Sequence, residues 1–398
     1  MDDIQVLVCD DSALMRNLIS RMIDSIEGMH TVGTAMNGRF CLQKIPVLNP
    51  DVIVLDIEMP EMNGIQFLEE RKKKGINIPV VILSSVATKG AAVTMKCLEL
   101  GASDFITKPS GSVSSNISSV GSDLIECVAS YGSRYARSKK KQILPVEHFM
   151  QQAKLKEVES LSVKGGVLSK PATKPVEKPI LSPTLFSSSA KKEPVVIKPL
   201  REPGAIDIVA IGISTGGPNA LREVFAKIDP KFSRPILVVQ HMPAGFTKEF
   251  AASLDRICPL KVKEAEDKDL IHPGQIYIAP GDNHIVVEKS TLCNVIRLSK
   301  EDLRNGHRPS ADVLFESVAK IYQNRALGVI MTGMGRDGAA QLAEMRRQGA
   351  WTLGQDEKSS IVYGMPKVAF ELGGVQKQVA LEKMAEEINT LVRTHANG

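Results

Sequence analysis

The sequence predicts an α/β protein: two doubly wound parallel-sheet units, at residues 1–136 and 205–398, joined by a flexible connector over 137–204. Three observations lead there. Short apolar, β-branched runs alternate with stretches of helical length and period, first up to about residue 136 and again from residue 205. Between them the composition turns to Lys, Pro and Ser, as in Lys170-Pro171-Ala172-Thr173-Lys174-Pro175, which cannot bury enough apolar surface to offset its ordering entropy. Finally, acidic, hydroxyl and imidazole side chains stand just after the apolar runs, where open parallel sheets bind their ligands.

Bulk properties narrow the function. A chain of 398 residues has length for separate cores. No apolar run is long enough to span a bilayer, and Asp2 and Asp3 stand where a secretory leader carries basic residues. The six cysteines are scattered, with no C-x-x-C pair, which predicts reduced thiols and a cytoplasmic protein without zinc or disulfides. The net charge is +5, but residues 138–203 alone carry 13 Lys+Arg against 6 Asp+Glu, so the remainder is −2. Basic character therefore belongs to the connector. Nucleic-acid binding, which needs basic side chains on a rigid face, is not expected; neither is stable membrane insertion, and the protein is expected to be a monomer. Within the connector, Val146, Phe149, Leu155, Val158 and Leu161 make a weak stripe. It predicts a marginal helix over Pro145–Leu161 with no docking role.

In the first unit the predicted strands are Ile4–Cys9, Thr31–Ala35, Val52–Leu55, Val80–Leu83 and Ser103–Thr107. Helices follow from Ser12 to Ile26, Arg39 to Ile45, Gly64 to Lys73, about Lys89 to Leu100, and Ser122 to Tyr135. Asp10 and Asp11 end the first strand, Asp56 the third and Ser84 the fourth, and Lys108 follows the fifth. Carboxylates brought together in this way repel unless a hard cation joins them, and Mg²⁺ held by oxygen is the natural choice. With one Lys beside it, such a pocket suits a phosphoryl group moving onto a carboxylate.

The motifs Cys9-Asp10-Asp11-Ser12, Leu55-Asp56-Ile57-Glu58-Met59-Pro60 and Lys108-Pro109 resemble those of response-regulator receiver domains, which have a flavodoxin-like (βα)5 fold. The resemblance covers residues 1–136. It implies that Asp56 is the phosphoacceptor, that Asp11, Asp56 and the Glu58 carbonyl hold Mg²⁺ with Asp10 in support, and that a histidine kinase is the phosphodonor. It further implies that Ser84 and Phe105 are switch positions, and that Lys108 contacts the phosphoryl group and precedes a cis proline bond.

The second unit begins with Ile208-Val209-Ala210-Ile211-Gly212-Ile213-Ser214-Thr215-Gly216-Gly217-Pro218. This reads as a buried strand, a tight turn exposing Ser214, and a helix with Pro218 in its first turn. The Gly212–Gly216 pentapeptide fits the G-x-S-x-G nucleophile pattern, and equally a Gly-rich turn that binds phosphate. Pro235–Gln240 is a second strand, ending at His241. Gln275–Ala279 reads as a strand, and His284–Glu288 with Asn294–Leu298 as a hairpin excursion. After a helix at Ser310–Gln323, the strand Ala326–Met331 runs into Thr332-Gly333-Met334-Gly335-Arg336-Asp337-Gly338. Trp351–Leu353 and a closing helix at Glu382–Thr394 complete the unit. Parallel strands deliver Ser214, His241 and Asp337 to one rim. A serine needs a base to attack near neutral pH, an imidazole is that base, and a carboxylate fixes its tautomer. His272, His284 and His307 read instead as surface or satisfied core.

The order Ser, His, Asp departs from that of the α/β hydrolases, where the acid precedes the His. The Gly212–Pro218 stretch, Val239-Gln240-His241-Met242, Ile278-Ala279-Pro280-Gly281-Asp282, Arg308-Pro309-Ser310-Ala311-Asp312-Val313-Leu314-Phe315 and Thr332–Gly338 closely resemble the chemotaxis protein-glutamate methylesterase/protein-glutamine glutaminase (CheB) family. That resemblance implies a phosphorylation-activated hydrolase of glutamyl methyl esters and glutamines on chemoreceptors, working through an acyl-enzyme. It places the oxyanion near Thr215, Gly216 and Met334, needs no cofactor at the esterase site, and makes the receiver a lid. The connector looks long for the family.

Overall fold

The structure is a computed structural model, and it describes residues 1–84, 88–108, 117–163, 194–290 and 293–395. The Lys170–Pro175 run and the cis bond expected before Pro109 lie outside these residues.

The first unit comprises β1 (Ile4–Cys9), α1 (Ala13–Asp24), β2 (Met29–Ala35), α2 (Gly38–Leu48), β3 (Val52–Asp56), α3 (Gly64–Lys73), β4 (Val80–Ser84), α4 (Thr88–Glu99), β5 (Asp104–Thr107) and α5 (Ile117–Ser138). Its sheet is parallel, in the order β2-β1-β3-β4-β5. Every residue of β3 and β4 is buried, as expected of strands covered on both faces. The strand order reverses between β1 and β3, so their carboxyl ends open the crevice in which Asp10, Asp11 and Asp56 stand.

A further helix, α6 (Val146–Val163), corrects the expectation of an idle segment. It packs along α5 and joins the core of the first unit, burying Phe149 completely and Met150 and Ala153 nearly so. Its Gln152 accepts from the Glu27 N–H at 2.8 Å. The stripe read from sequence holds at Val146 and Phe149 but not at Leu155, which is 66% exposed, while the side chains of Val158 and Leu161 lie outside the described residues. The seat for Phe149 is made by Gly28, at φ +85, where a Cβ would stand 3.0 Å from the ring. A non-local cavity of this kind leaves no periodic mark in the helix.

The second unit comprises β6 (Ile208–Ile213), α7 (Gly217–Phe225), β7 (Ile236–Gln240), α8 (Phe246–Asp255), β8 (Lys261–Glu264), β9 (Gln275–Ile278), β10 (His284–Lys289), β11 (Asn294–Ser299), α9 (Ala311–Tyr322), β12 (Ala326–Ile330), α10 (Ala339–Arg347), β13 (Trp351–Gln355), α11 (Met365–Glu371), β14 (Lys377–Val379) and α12 (Leu381–Thr394). Its seven strands are parallel, in the order β14-β13-β12-β6-β7-β9-β8, and β10 and β11 form the separate antiparallel hairpin. The sheet winds outward both ways from β6, so β6, β7 and β12 are adjacent at its centre and point the same way. Among the described residues no helix is long and apolar enough to cross a membrane, and all six cysteines are free.

Candidate active site and receiver cluster

The turn after β6 is shaped by backbone. Gly216 caps α7 at φ +81, a left-handed conformation costly for other residues. A Cβ at Gly217 would lie 1.9 Å from Gln240 Oε1. The Ser214 N–H donates to the Thr332 carbonyl at 2.9 Å, tying the β6 turn to the β12 turn. Gln240, which sequence reasoning passed over, donates through Nε2 to the carbonyls of Ser214 (3.1 Å) and His241 (3.0 Å). Gly333 is so close that a Cβ there would meet Ser214 Cβ at 2.7 Å; Met334, next in the chain, packs against the core of the first unit and lines a separate cleft with Tyr363 and Arg134.

The structure brings Ser214, His241 and Asp337 into one hydrogen-bonded line. Ser214 Oγ lies 3.1 Å from His241 Nδ1, and His241 Nε2 lies 2.8 Å from Asp337 Oδ2. An ionised carboxylate only accepts, so the ring proton belongs on Nε2 and the Nδ1 lone pair faces the serine. Asp337 is 1% exposed. Its Oδ1 also accepts from Ser310 Oγ (2.6 Å), Asn305 Nδ2 (2.9 Å) and the Asp312 N–H (3.3 Å), and Oδ2 from the Ala311 N–H (2.6 Å). Two of these donors are the first amides of α9, the positive end of a helix. Burial pushes the carboxyl up, but His241, Ser310 and Asn305 together hold it well below the usual carboxylate range.

The loop before α9 supplies other residues that sequence reasoning missed. His307 stacks on His241 with ring centroids 3.8 Å apart and planes 13° off parallel. Burial first, then the neighbouring His241, hold His307 down to about 4, against the pull of Asp337. His284 is fully buried; its Nδ1 accepts the Ser310 N–H at 3.1 Å and its Nε2 donates to the Asp302 carbonyl at 3.2 Å. Of the two, His284 is the satisfied core histidine that the sequence led one to expect. His307 is not, and the only signal available was its place beside the Arg308–Phe315 motif.

In the first unit, Lys108 Nζ reaches Asp10 Oδ2 (3.0 Å) and Asp56 Oδ1 (2.8 Å). One carboxylate oxygen from each of Asp10, Asp11 and Asp56 falls within 4.8 Å of the others. Burial, with Asp10 adding to it, pushes Asp56 up to about 6 against the pull of Lys108. Three carboxylates against one ammonium leave negative charge in excess, and the all-oxygen donor set fits a hard divalent cation. Glu58 is exposed on the same cleft. Ser84 Oγ pairs with Thr94 Oγ1 at 2.6 Å. Phe105 points elsewhere: it stacks on Phe246 of the second unit, ring centroids 5.0 Å apart.

That stack is part of an interface in which α4, β5 and α5 face the second unit, over the rim that carries Ser214. Asp104 Oδ2 accepts the Gly216 N–H at 3.0 Å, and Glu126 Oε1 accepts the Thr215 hydroxyl. Asn219 donates to the carbonyls of Ala102 and Ser103, Arg134 to those of Ser359 and Ser360, and Arg256 to Glu99. Burial raises Asp104, and Glu126 is raised to about 7, by burial first and by Asp123 and Asp104. A cleft of about 390 Å³ remains between the units, lined by Ser214, His241, His307 and Arg308 on one side and Asp104, Phe105 and Glu126 on the other.

Comparison with known proteins agrees over both halves. The family profile described as CheB methylesterase matches residues 209–388, and that described as response regulator receiver domain matches residues 6–114. The protein-glutamate methylesterase/protein-glutamine glutaminase of Treponema denticola is 54% identical over 389 residues, covering 98% of each chain. The protein of that name from Treponema pallidum is 49% identical over 403 residues, covering 100% of this chain and 99% of its own. The solved CheB methylesterase catalytic domain of Thermotoga maritima is 39% identical and covers 47% of this chain and 100% of that one, with a TM-score of 0.46.

Proposed function

The chain belongs to the CheB protein-glutamate methylesterase/protein-glutamine glutaminase family, and on that premise we propose that it hydrolyses glutamyl methyl esters and deamidates glutamines on chemoreceptors under the control of its receiver. The observation that carries the reading is the hydrogen-bonded line from Ser214 through His241 to Asp337. As Ser214 Oγ attacks the side-chain carbonyl, its proton passes to His241 Nδ1, and Asp337 holds the imidazolium from Nε2. The oxyanion lies near the amides of the Thr215–Gly216 turn and of Met334; one such donor is typically worth about 3–4 kcal/mol of barrier. His241 then gives its proton to the departing methanol, or to ammonia from a glutamine, and water releases the acyl-enzyme by the reverse route.

Regulation follows from what sits on the turn. Asp104 places a carboxylate on the Gly216 N–H, where the oxyanion would lie, and Glu126 occupies the Thr215 hydroxyl. The receiver thus occupies the donors of the site with carboxyl groups of its own. Asp10, Asp11 and Asp56, with the Glu58 carbonyl, would hold Mg²⁺, which when bound neutralises charge on the transferring phosphoryl group. Asp56 accepts that group from a histidine kinase. Lys108, now paired with Asp56 and bonded through its N–H to the Ser84 carbonyl, is drawn to the new charge. The strand β5, with Asp104 and Phe105, shifts and the docked state loses its advantage.

Methanol release from methylated receptor membranes tests the reading. The full chain with an acyl phosphate donor is expected to release methanol, and Ser214→Ala to release none. A Ser214→Ala protein as active as the parent would end the proposal. Asp56→Asn is expected to keep basal release and lose its stimulation.

A further inference from the structure

Two hydrogen bonds hold the His241 ring, one at each nitrogen. They fix the ring along the line between Ser214 and Asp337 but leave it free to tilt about that line. His307 closes that freedom on one side, as a parallel plate 3.8 Å away. The plate is itself anchored: Arg304 and His307 exchange backbone hydrogen bonds of 3.1 and 3.0 Å, closing a turn whose Asn305 donates to Asp337. One loop therefore grips the acid by its carboxylate and the base by its face.

We propose that His307 is a positioning residue for the hydrolysis, a neutral plate that keeps His241 aligned between Ser214 and Asp337 and faces the imidazolium as it forms. The proposal rests on the Ser-His-Asp reading above. A flat aromatic face attracts a cation, whereas a second imidazolium stacked on the first would repel it. The titratable groups facing His307 are His241, at the end of β7, and Asp337, in the turn after β12; Arg308, next in the chain, is engaged with Asp282 at 2.6 Å. Burial beside His241 holds His307 uncharged down to about pH 4, below the range in which an imidazole base works.

The test uses the full chain with an acyl phosphate donor, measuring kcat and KM for methanol release from methylated receptor membranes. His307→Phe keeps a flat, uncharged face and is expected to retain kcat within about threefold, whereas His307→Ala loses about 10- to 100-fold in kcat with KM unchanged, the scale of a misplaced catalytic group. His307→Gln, neutral but without a ring, is expected to behave like the alanine variant and replaces it if that protein does not fold. Three results overturn the proposal: a ringless variant with parental kcat, a Phe variant as impaired as the ringless ones, or a loss confined to KM, which would make His307 a substrate contact. The parent reading fails separately, through an active Ser214→Ala protein.

Discussion

Asp337 keeps its charge in a nearly closed site because five donors converge on its two oxygens. A hydrogen bond to a charged group contributes roughly 1.5–3 kcal/mol. Removing the Ser310 hydroxyl or the Asn305 amide is therefore expected to lower kcat about 10- to 100-fold, since a less firmly ionised Asp337 supports the His241 imidazolium less well. Steady-state methanol release by Ser310→Ala and Asn305→Ala full-length proteins checks this. The sign for stability is equally definite. A carboxyl held below its ordinary range contributes stability that is present above that range and lost as pH falls through the folded value. Asp337 therefore remains a stabilising group through mild acid, and the second unit is expected to lose its share only in strong acid, as read by circular dichroism against pH.

At the scale of elements, α6 makes the sharpest prediction. Phe149 fills a seat between α5 and the turn at Gly28, so Phe149→Ala is expected to cost about 3–5 kcal/mol. Chemical denaturation of the full chain should show the loss in the transition of the first unit, with that of the second unmoved. The same helix marks where the sequence stopped being readable. Strands such as β3, β6, β7 and β12 are continuous apolar runs because both faces are covered, and the residues just past them are conspicuous; Ser214, His241, Asp337, Asp10, Asp11 and Asp56 were found on that ground. β8, α11 and β14 were not expected. β8 reads Lys261-Val262-Lys263-Glu264 and buries little beyond Val262, as befits a charged edge strand. β14 is three residues long. The 303–310 loop has no period at all, so Asn305 and His307 gain their roles only from where the fold sets them down. Phe105 was expected as a switch position of the first unit, whereas its stacking partner Phe246 belongs to a unit that no local pattern could pair with it.

For the whole molecule, the buried carboxyl of Glu126 makes docking sensitive to pH. Its docked value, about 7, lies above the ordinary 4.5. Its contribution to docking is thus complete below the ordinary value and lost as pH rises through 7. The ratio of unphosphorylated to phosphorylated activity is expected to climb between about pH 4.5 and pH 7. Glu126→Gln, a neutral isostere, should flatten that climb and lower basal activity, whereas Phe105→Ala should raise basal activity by removing the stack on Phe246. A fragment of residues 205–398 is expected to hydrolyse ester at a rate indifferent to phosphodonor.

The β5–α5 face has one more consequence. Asp104 and Phe105, which reach the second unit, share a strand with the segment leading to Lys108, the partner of Asp56, and Glu126 stands beside them on α5, so under the proposed regulation drift on one side of the contact must be answered on the other: Asp104 by the turn at Gly216, Phe105 by Phe246, Glu126 by Thr215. A chimera given a receiver of the same fold but other side chains at these three positions would fold and accept phosphate, yet behave as an enzyme with no off state.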